Sequence, residues 1–249
     1  MTDPIKHPYY DDPVFSYPAF WHGRDYEHLA EVSAIRKFLG RKKFAAAVDI
    51  GGGFGRLAPL LLHVAQTVTL VEPSTVQRAL AERAAGGKIK VVGGSAAHTS
   101  LPDSSYDLVV MVRVMHHIPK PEESIAEIYR ILKPGGTLIL EFANSHHMKA
   151  RLKRGMKLQT TPLEPIQVND ESVSDVPFVN HHPAAIRRAL TQQGFVIDRT
   201  LSVSNMRSPF LKRVLPLGVL LGIEGLMQRS LAWLSFGPSM FVLAHKPQA

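Results

Sequence analysis

Short apolar runs rich in β-branched residues alternate along the chain with stretches in which apolar residues recur every three or four positions. The runs are typical of strands buried on both faces, and the recurrence is typical of amphipathic helices. The predicted strands cover residues 47–50, 67–72, 88–92, 106–112, 137–142, 195–203 and 239–245. The predicted helices cover residues 25–39, 57–62, 75–84, 121–132 and 182–193. Strands that alternate with helices in this way predict an α/β fold.

A glycine-rich turn separates the first predicted strand from the helix that follows it. Four of the five positions from Gly51 to Gly55 are glycine, and Asp49 precedes them. Glycine lets a backbone approach a ligand closely, and the N–H groups at a helix start face whatever is bound. The spacing is D-x-G-x-G-x-G, which differs from the dinucleotide fingerprint G-x-G-x-x-G, and no G-K-[ST] follows. The turn therefore predicts a ligand cradle of another kind.

The second predicted strand ends in an acid, Glu72, which Pro73 and Ser74 follow. Ser74 is a good N-cap for the next helix. A carboxylate about 20 residues beyond a glycine turn can accept hydrogen bonds from both hydroxyls of a ribose. The turn and Glu72 together predict a nucleoside-containing ligand.

Composition narrows the chemistry further. The 249 residues include no cysteine, which excludes disulfides, thiolate metal ligands and a cysteine nucleophile. The formal net charge of +8 is spread over small basic clusters, so we expect no DNA partner and give RNA binding little weight. Three pairs of adjacent histidines have no partner at ligand spacing, so we predict no metal site. Residues 1–8 are polar and lack the apolar core of a signal peptide, from which we expect a cytoplasmic location.

Three segments resemble the motifs of class I S-adenosylmethionine-dependent methyltransferases. They are the glycine turn at 49–55, the segment Arg113-Val114-Met115-His116-His117-Ile118, and Leu132–Leu140, which reads LKPGGTLIL. The resemblance covers residues 45–145. It implies a Rossmann-like, doubly wound, seven-stranded sheet that is mostly parallel with an antiparallel last strand, helices on both faces, and helical insertions near the C-terminus. It also implies S-adenosylmethionine as cofactor and S-adenosylhomocysteine as product.

The resemblance also implies the site residues. The cofactor-binding candidates are Asp49, Gly51, Gly52, Gly53, Gly55, Glu72, Pro73, Ser95, Ala96 and Arg113. Ser95 stands where the family usually has an aspartate that contacts adenine, which weakens that contact. His116 and His117 have the chemistry of a general base, and buried structural histidines are the alternative interpretation. Arg113 pairs with a substrate anion or with a structural carboxylate; the sequence leaves both open.

Outside the core we expect one domain, 1–249, with additions. Residues 1–40 are expected to cap the site, and the insertions 146–180 and 205–237 to form a substrate lid. The apolar segment 209–237 suits core packing, a lid, a dimer surface or a peripheral membrane contact. We expect a methyltransferase for a small acceptor that is apolar, aromatic or lipid-like. The alternatives are a regulatory or scaffolding protein that binds S-adenosylmethionine without turnover, and an RNA or protein methyltransferase.

Overall fold

The structure is a computed structural model that describes residues 10–11, 16–168 and 178–248. In these residues the strands are β1 (Phe44–Ile50), β2 (Ala65–Glu72), β3 (Lys90–Gly93), β4 (Tyr106–Met111), β5 (Leu132–Ala143), β6 (Ile166–Gln167), β7 (Val179–Asn180), β8 (Val196–Val203) and β9 (Ser239–His245). The helices are α1 (Tyr17–Phe20), α2 (Asp25–Leu39), α3 (Ala58–Val64), α4 (Thr75–Ala85), α5 (Glu122–Ile131), α6 (Met148–Gly155), α7 (Pro183–Gln193), α8 (Pro209–Val214) and α9 (Leu217–Ser230). A single 3₁₀ turn spans Met115–His117.

Seven strands form one sheet in the order β3-β2-β1-β4-β5-β9-β8. Six of them run in the same direction, and β9 runs antiparallel to both of its neighbours, β5 and β8. This confirms the predicted seven-stranded sheet with an antiparallel last strand. The two short strands β6 and β7 pair with each other in a separate hairpin within the insertion 146–180, which the sequence did not predict.

Helices cover both faces of the sheet, because successive residues of a strand point to opposite sides. In β4, Leu108 and Val110 pack in one core with residues of α2, α3 and α9. Val109 and Met111 of the same strand pack in a second core with residues of α5 and α7. The central strands therefore carry apolar side chains on both faces, as a sheet covered on both sides requires.

Three helix ends follow the capping residues seen in the sequence. Helix α2 ends at Leu39, before Gly40, whose φ is 57°. The Ser74 hydroxyl accepts a hydrogen bond from the backbone N–H of Gln77 and begins α4. Helix α7 ends before Gly194, which has a left-handed backbone with φ of 102°. The predicted ends are confirmed because these residues satisfy backbone groups that the helix leaves unpaired.

Strand β5 begins five residues earlier than the predicted strand 137–142. Leu132 already pairs with Tyr106, and the register then shifts before Leu108 pairs with Thr137. The intervening segment Lys-Pro-Gly-Gly, whose composition is typical of a turn, is therefore an irregularity within the strand. Gly135 takes a positive φ of 77° there.

The order of strands reverses between β1 and β4, where the chain crosses from one half of the sheet to the other. In open α/β sheets a crevice forms outside the carboxyl ends of the strands at such a point. The glycine turn follows β1 directly and therefore lies at this crevice. Among the described helices, none is long and apolar enough to cross a membrane.

Candidate functional site

The turn after β1 passes close to two neighbouring segments. Gly51 has a φ of 66°, and a Cβ at this position would lie 2.3 Å from a methyl carbon of Val114. Gly53 has a φ of 56°, and a Cβ there would lie 3.2 Å from the ring of Tyr17. Left-handed backbone and close approach together require glycine at both positions. The two glycines keep the floor of the crevice free of side chains.

Glu72, at the end of β2, holds the turn from the neighbouring strand. Its Oε2 accepts a hydrogen bond from the N–H of Gly53 at 2.9 Å, and its Oε1 accepts one from the N–H of Ser74 at 3.0 Å. Burial raises the pKa of the Glu72 carboxyl, and these two N–H groups partly offset that rise. Each carboxylate oxygen has more than one acceptor position. Glu72 can therefore hold the turn and still accept hydrogen bonds from a ligand.

A cleft of about 940 Å³, which includes its open mouth, lies over the turn and Glu72. It is in the size range of small-molecule sites. Its lining contains two thirds of the predicted site residues: Gly51, Gly53, Glu72, Pro73, Ser95, Ala96, Arg113 and His117. The structure thus brings together residues from the ends of β1, β2, β3 and β4.

The remaining predicted site residues do not line the cleft. A Cβ at Gly52 would lie 2.7 Å from the Leu70 side chain, and Gly55 faces Ala81 of α4. His116 is buried and stacks on the ring of Phe178, with 4.5 Å between the ring centroids. Burial, together with the neighbouring His117, holds the pKa of His116 well below its usual value, so that its imidazole is neutral.

Asp49 is also buried behind the turn. Its Oδ2 finds no hydrogen-bond partner among the described residues. Burial raises the pKa of its carboxyl to about 7. A buried carboxyl without a partner is more stable with a proton than without one. Asp49 therefore differs from Glu72, whose charge is held by two N–H groups.

Ser95 begins a tight turn beside the cleft. Its N–H donates to the carbonyl oxygen of His98 at 2.9 Å, and its hydroxyl oxygen accepts from the N–H of His98 at 3.2 Å. The N–H of Ala96 has no acceptor among the described residues. The turn thus presents a hydroxyl and a backbone N–H where the resemblance implied an adenine contact.

Sequence reasoning did not single out three further residues that line the cleft: Tyr10, Tyr17 and Gln77. The Tyr10 hydroxyl lies 2.9 Å from Nε2 of His117, and the two rings meet edge to face. Gln77 is buried, and its Oε1 has no partner among the described residues. The aromatic residues at 9–21 were the only signal for the tyrosines. For Gln77 the signal was its position one turn after the N-cap Ser74.

Arg113 lines the cleft, but its guanidinium group forms an ion pair with the buried Glu31 of α2. It has a φ of 65°, and its Nε lies 2.7 Å from Oε1 of Glu31 in α2. The other oxygen of Glu31 bonds Arg56 at 2.7 Å. Burial opposes ionisation of Glu31, but the two guanidinium groups outweigh it and lower the pKa of the carboxyl. Of the two interpretations of Arg113, the structure contains the pairing with a structural carboxylate.

The described residues hold no group of three or more His, Asp or Glu side chains that could share a metal ion. The chemistry of the site is instead that of hydrogen-bond donors and acceptors around a cleft, with one imidazole, that of His117, at the wall.

Comparison with known proteins gives matches in sequence over part of the chain. Residues 48–140 match the family model of a methyltransferase domain. A ubiquinone/menaquinone biosynthesis C-methyltransferase of Methylobacterium nodulans is 32% identical over 123 residues, which are 46% of this chain and 48% of that protein. A sterol 24-C-methyltransferase of Neurospora crassa is 34% identical over 105 residues, 40% of this chain and 28% of that protein. The chain thus spans less than half the length of these curated relatives.

Similarity of fold extends further than similarity of sequence. A solved structure from Thermotoga maritima, described as a possible histamine N-methyltransferase, superposes with a TM-score of 0.65. It covers 92% of this chain and 94% of its own, at 20% identity. This likeness extends well beyond residues 48–140, which match the family model, and it concerns the fold alone.

Proposed function

We propose that the chain, whose residues 48–140 match a methyltransferase domain, is a class I S-adenosylmethionine-dependent methyltransferase. It would bind S-adenosylmethionine in the cleft and transfer the methyl group to a small apolar acceptor. One observation carries the cofactor half of this proposal. Glu72 accepts a hydrogen bond from the N–H of Gly53 and still lines the cleft. A carboxylate and a glycine turn without side chains therefore lie next to each other at the bottom of the cleft.

The residues of the cleft fit this cofactor. Glu72 would accept hydrogen bonds from the ribose hydroxyls, and the turn at Gly51 and Gly53 would lie beside the methionine part. Ser95 and the N–H of Ala96 would face adenine. The unpartnered polar groups of Ala96 and Gln77 have no other use among the described residues, which supports a polar ligand at this place.

S-adenosylmethionine supplies a methyl group that its sulfonium already activates. The chain's own residues therefore have to orient the acceptor and exclude water. Tyr10 and Tyr17 lie over the glycine turn, where they shield the cleft. Where the acceptor must lose a proton, His117 would accept it, and the Tyr10 hydroxyl would hold its imidazole in place.

The acceptor we propose is a flat or lipid-like apolar molecule that carries a hydroxyl group, such as a quinol or a sterol. The names of the two curated relatives refer to quinone biosynthesis and to a sterol. On the chain itself, the apolar side chains Val114 and Ile118 line the cleft next to His117. An apolar wall beside the imidazole of His117 suits a phenolic or enolic acceptor.

The test has two parts. Titration calorimetry should give micromolar binding of S-adenosylmethionine and S-adenosylhomocysteine and none of NAD, the control for a dinucleotide site. Radiolabelled methyl transfer should then be measured with a panel of quinols, sterols and polar amines. Label in an apolar product supports the proposal. Binding without release of S-adenosylhomocysteine by any acceptor would favour the protein that binds without turnover, and absence of binding would remove the cofactor assignment.

A further inference from the structure

The C-terminal half of helix α9 turns two polar side chains inward and a large apolar side chain outward, while Leu220 of its N-terminal half is buried in the core. Glu224 and Gln228 are fully buried, with 0% of each residue exposed, where α9 meets α2 and β8. Leu226 lies two positions from each of them, on the opposite side of the helix, and is 81% exposed. A surface helix of a globular protein ordinarily shows the reverse arrangement.

The buried polar groups of α9 are satisfied. Glu224 accepts a hydrogen bond from the hydroxyl of Tyr26 at 2.7 Å and another from the N–H of Ser204 at 2.9 Å. Gln228 donates to the carbonyl oxygen of Ala30 at 2.9 Å. Because the inner face depends on these specific hydrogen bonds, the helix cannot turn over to bury its apolar side. The apolar side is thus fixed toward the outside.

The outward apolar side chains extend from α8 through α9 to the turn after α9. Phe210 is 69% exposed and Trp233 is 80% exposed, although both are large and apolar. We define the outer apolar surface by the exposed residues Phe210, Val214, Leu217, Val219, Leu226 and Trp233. Several large exposed apolar side chains on two packed helices and the turn after them indicate an interaction site.

The charges around this surface are basic. Between residues 205 and 237 there are four Lys and Arg, and the single acid, Glu224, is buried. Residues 148–157 contain five Lys and Arg and no acid. Helix α6, which carries four of them, begins beside the surface, because the N–H of Met148 donates to the carbonyl oxygen of Phe236 at 3.0 Å. Apolar side chains bordered by Lys and Arg complement an anionic lipid surface.

The outer apolar surface and the cleft lie at the same edge of the sheet. The Asn144 side chain, just after β5, donates to the carbonyl oxygens of Ser235 and Gly237 at 2.8 Å. This places the turn after α9 at the carboxyl end of β5. The cleft lies at the carboxyl ends of β1, β2 and β4. A layer that covers the outer apolar surface would therefore lie on the same side of the molecule as the mouth of the cleft.

We propose that the outer apolar surface docks on a lipid bilayer that contains anionic headgroups. Phe210, Leu226 and Trp233 enter the boundary between headgroups and acyl chains. Arg207 and Lys212 pair with Glu27, so the contacts with headgroups come from the exposed Arg213 and Arg229 and from the basic residues of 148–157. The inference rests on the proposed function in one respect only, since it makes the bilayer the source of the apolar acceptor.

Sedimentation with vesicles tests the docking. The full chain is mixed with vesicles of phosphatidylcholine alone and with vesicles in which about a third of the lipid is phosphatidylglycerol. We expect binding to the anionic vesicles that weakens as salt is added. The double variant Leu226→Glu/Trp233→Glu should bind about tenfold more weakly. Val196→Glu is the matched control, because Val196 is also exposed and apolar. It begins β8 and therefore lies at the amino ends of the parallel strands, away from the cleft.

The outcomes separate the alternatives. Vesicle binding that the double variant retains, or absence of binding by the wild-type chain, overturns the proposal. Size-exclusion chromatography that shows a wild-type dimer and a monomeric double variant also overturns it, because the surface then joins two copies. Titration of S-adenosylhomocysteine without vesicles is run on all three proteins. If none binds it while the vesicle results hold, the proposed function fails and the docking does not.

Discussion

At the scale of single residues, Glu72 is the side chain on which the cleft depends most. Both of its oxygens already accept backbone N–H groups, from Gly53 and Ser74. In Glu72→Gln the amide NH₂ would face one of these donors, and the charge that attracts ribose hydroxyls would be lost. We expect affinity for S-adenosylhomocysteine to fall about 10- to 100-fold, measured by calorimetry.

The control for that loss is Glu82→Gln, which removes the same charge from an exposed position on α4. It should leave the affinity unchanged. Wild-type affinity in Glu72→Gln would mean that the carboxylate only supports the glycine turn and that ribose is held elsewhere.

Asp49 is a second buried carboxyl, and its Oδ2 has no partner among the described residues, which gives a prediction about pH. Its pKa is raised to about 7 in the folded chain by burial, whereas an ordinary aspartate titrates near 4. Between these values the unfolded chain has already lost the proton that the folded chain keeps, so stability falls as pH rises from about 4 to about 7. Asp49→Asn does not titrate and escapes this loss, which is on the order of 2 to 4 kcal/mol.

The measurement for Asp49 is urea unfolding of both proteins at several pH values. The variant should gain stability relative to the wild type as pH rises across that range and the gain should then level off. Parallel curves would show that Asp49 is ionised in the folded chain and has a partner outside the described residues.

At the scale of elements, Tyr10 and Asp11 connect the N-terminal segment to the start of α4 and to the 3₁₀ turn at Met115–His117. Asp11 accepts a hydrogen bond from the Ser74 hydroxyl at 2.6 Å, and the Tyr10 hydroxyl meets His117. Tyr10→Phe keeps the ring over the cleft and removes the bond that orients the imidazole. We expect kcat to fall about tenfold while affinity for S-adenosylhomocysteine stays within about threefold.

Tyr129→Phe is the control for Tyr10→Phe, because Tyr129 packs on Phe195 away from the cleft. Its kcat should equal that of the wild type. An equal loss of kcat and of cofactor affinity in Tyr10→Phe would instead mean that Tyr10 only closes the cleft.

Helix α2 is joined to the glycine turn and to the end of β4 through one carboxylate. Glu31 is fully buried and bonds both Arg56 and Arg113. Glu31→Gln leaves two guanidinium groups without their counter-charge, which we expect to cost about 3 kcal/mol of unfolding free energy near neutral pH. Because its pKa is lowered in the folded chain, this stabilisation is lost as pH falls through the acid range, so the two proteins should converge there. Urea unfolding at neutral and at acid pH measures both differences.

How far the sequence predicts an element depends on whether one periodicity governs it. The strands of the sheet centre and the helices with Gly or Ser caps were predicted correctly, because alternation and capping act locally. The start of β5 was not, since its Lys-Pro-Gly-Gly segment has the composition of a turn and only pairing of Leu132 with Tyr106 makes it a strand. In α9 the sequence shows Glu224 and Gln228 as interruptions of an apolar segment. Their burial depends on partners about 200 residues away, Tyr26 and Ala30.

The same reasoning applies to the cleft. The motif residues that the sequence identified come from the turns directly after strands, where position along the chain fixes position in the fold. Tyr10 and Gln77 reach the cleft from a segment and a helix whose orientation no motif fixes. Asp49, Gly52 and Gly55 belong to the same glycine-rich segment but do not line the cleft. Asp49 is buried, Gly52 lies against Leu70 of β2 and Gly55 against Ala81 of α4, which are tertiary contacts that the motif does not show.

At the scale of the whole molecule, the cleft joins both halves of the sheet with the N-terminal segment, and this predicts how a ligand changes motion. S-adenosylhomocysteine at about a hundred times its Kd should add about 2.7 kcal/mol to the unfolding free energy. Amides that exchange only through global unfolding will slow everywhere. Amides that exchange through local opening will slow only where the ligand or the closed segment covers them.

Hydrogen–deuterium exchange should therefore show local protection in residues 16–22, 51–57 and 72–78, and none in the exposed helix α6. Protection of 51–57 without protection of 16–22 would show that the N-terminal segment stays open when the cofactor site is filled.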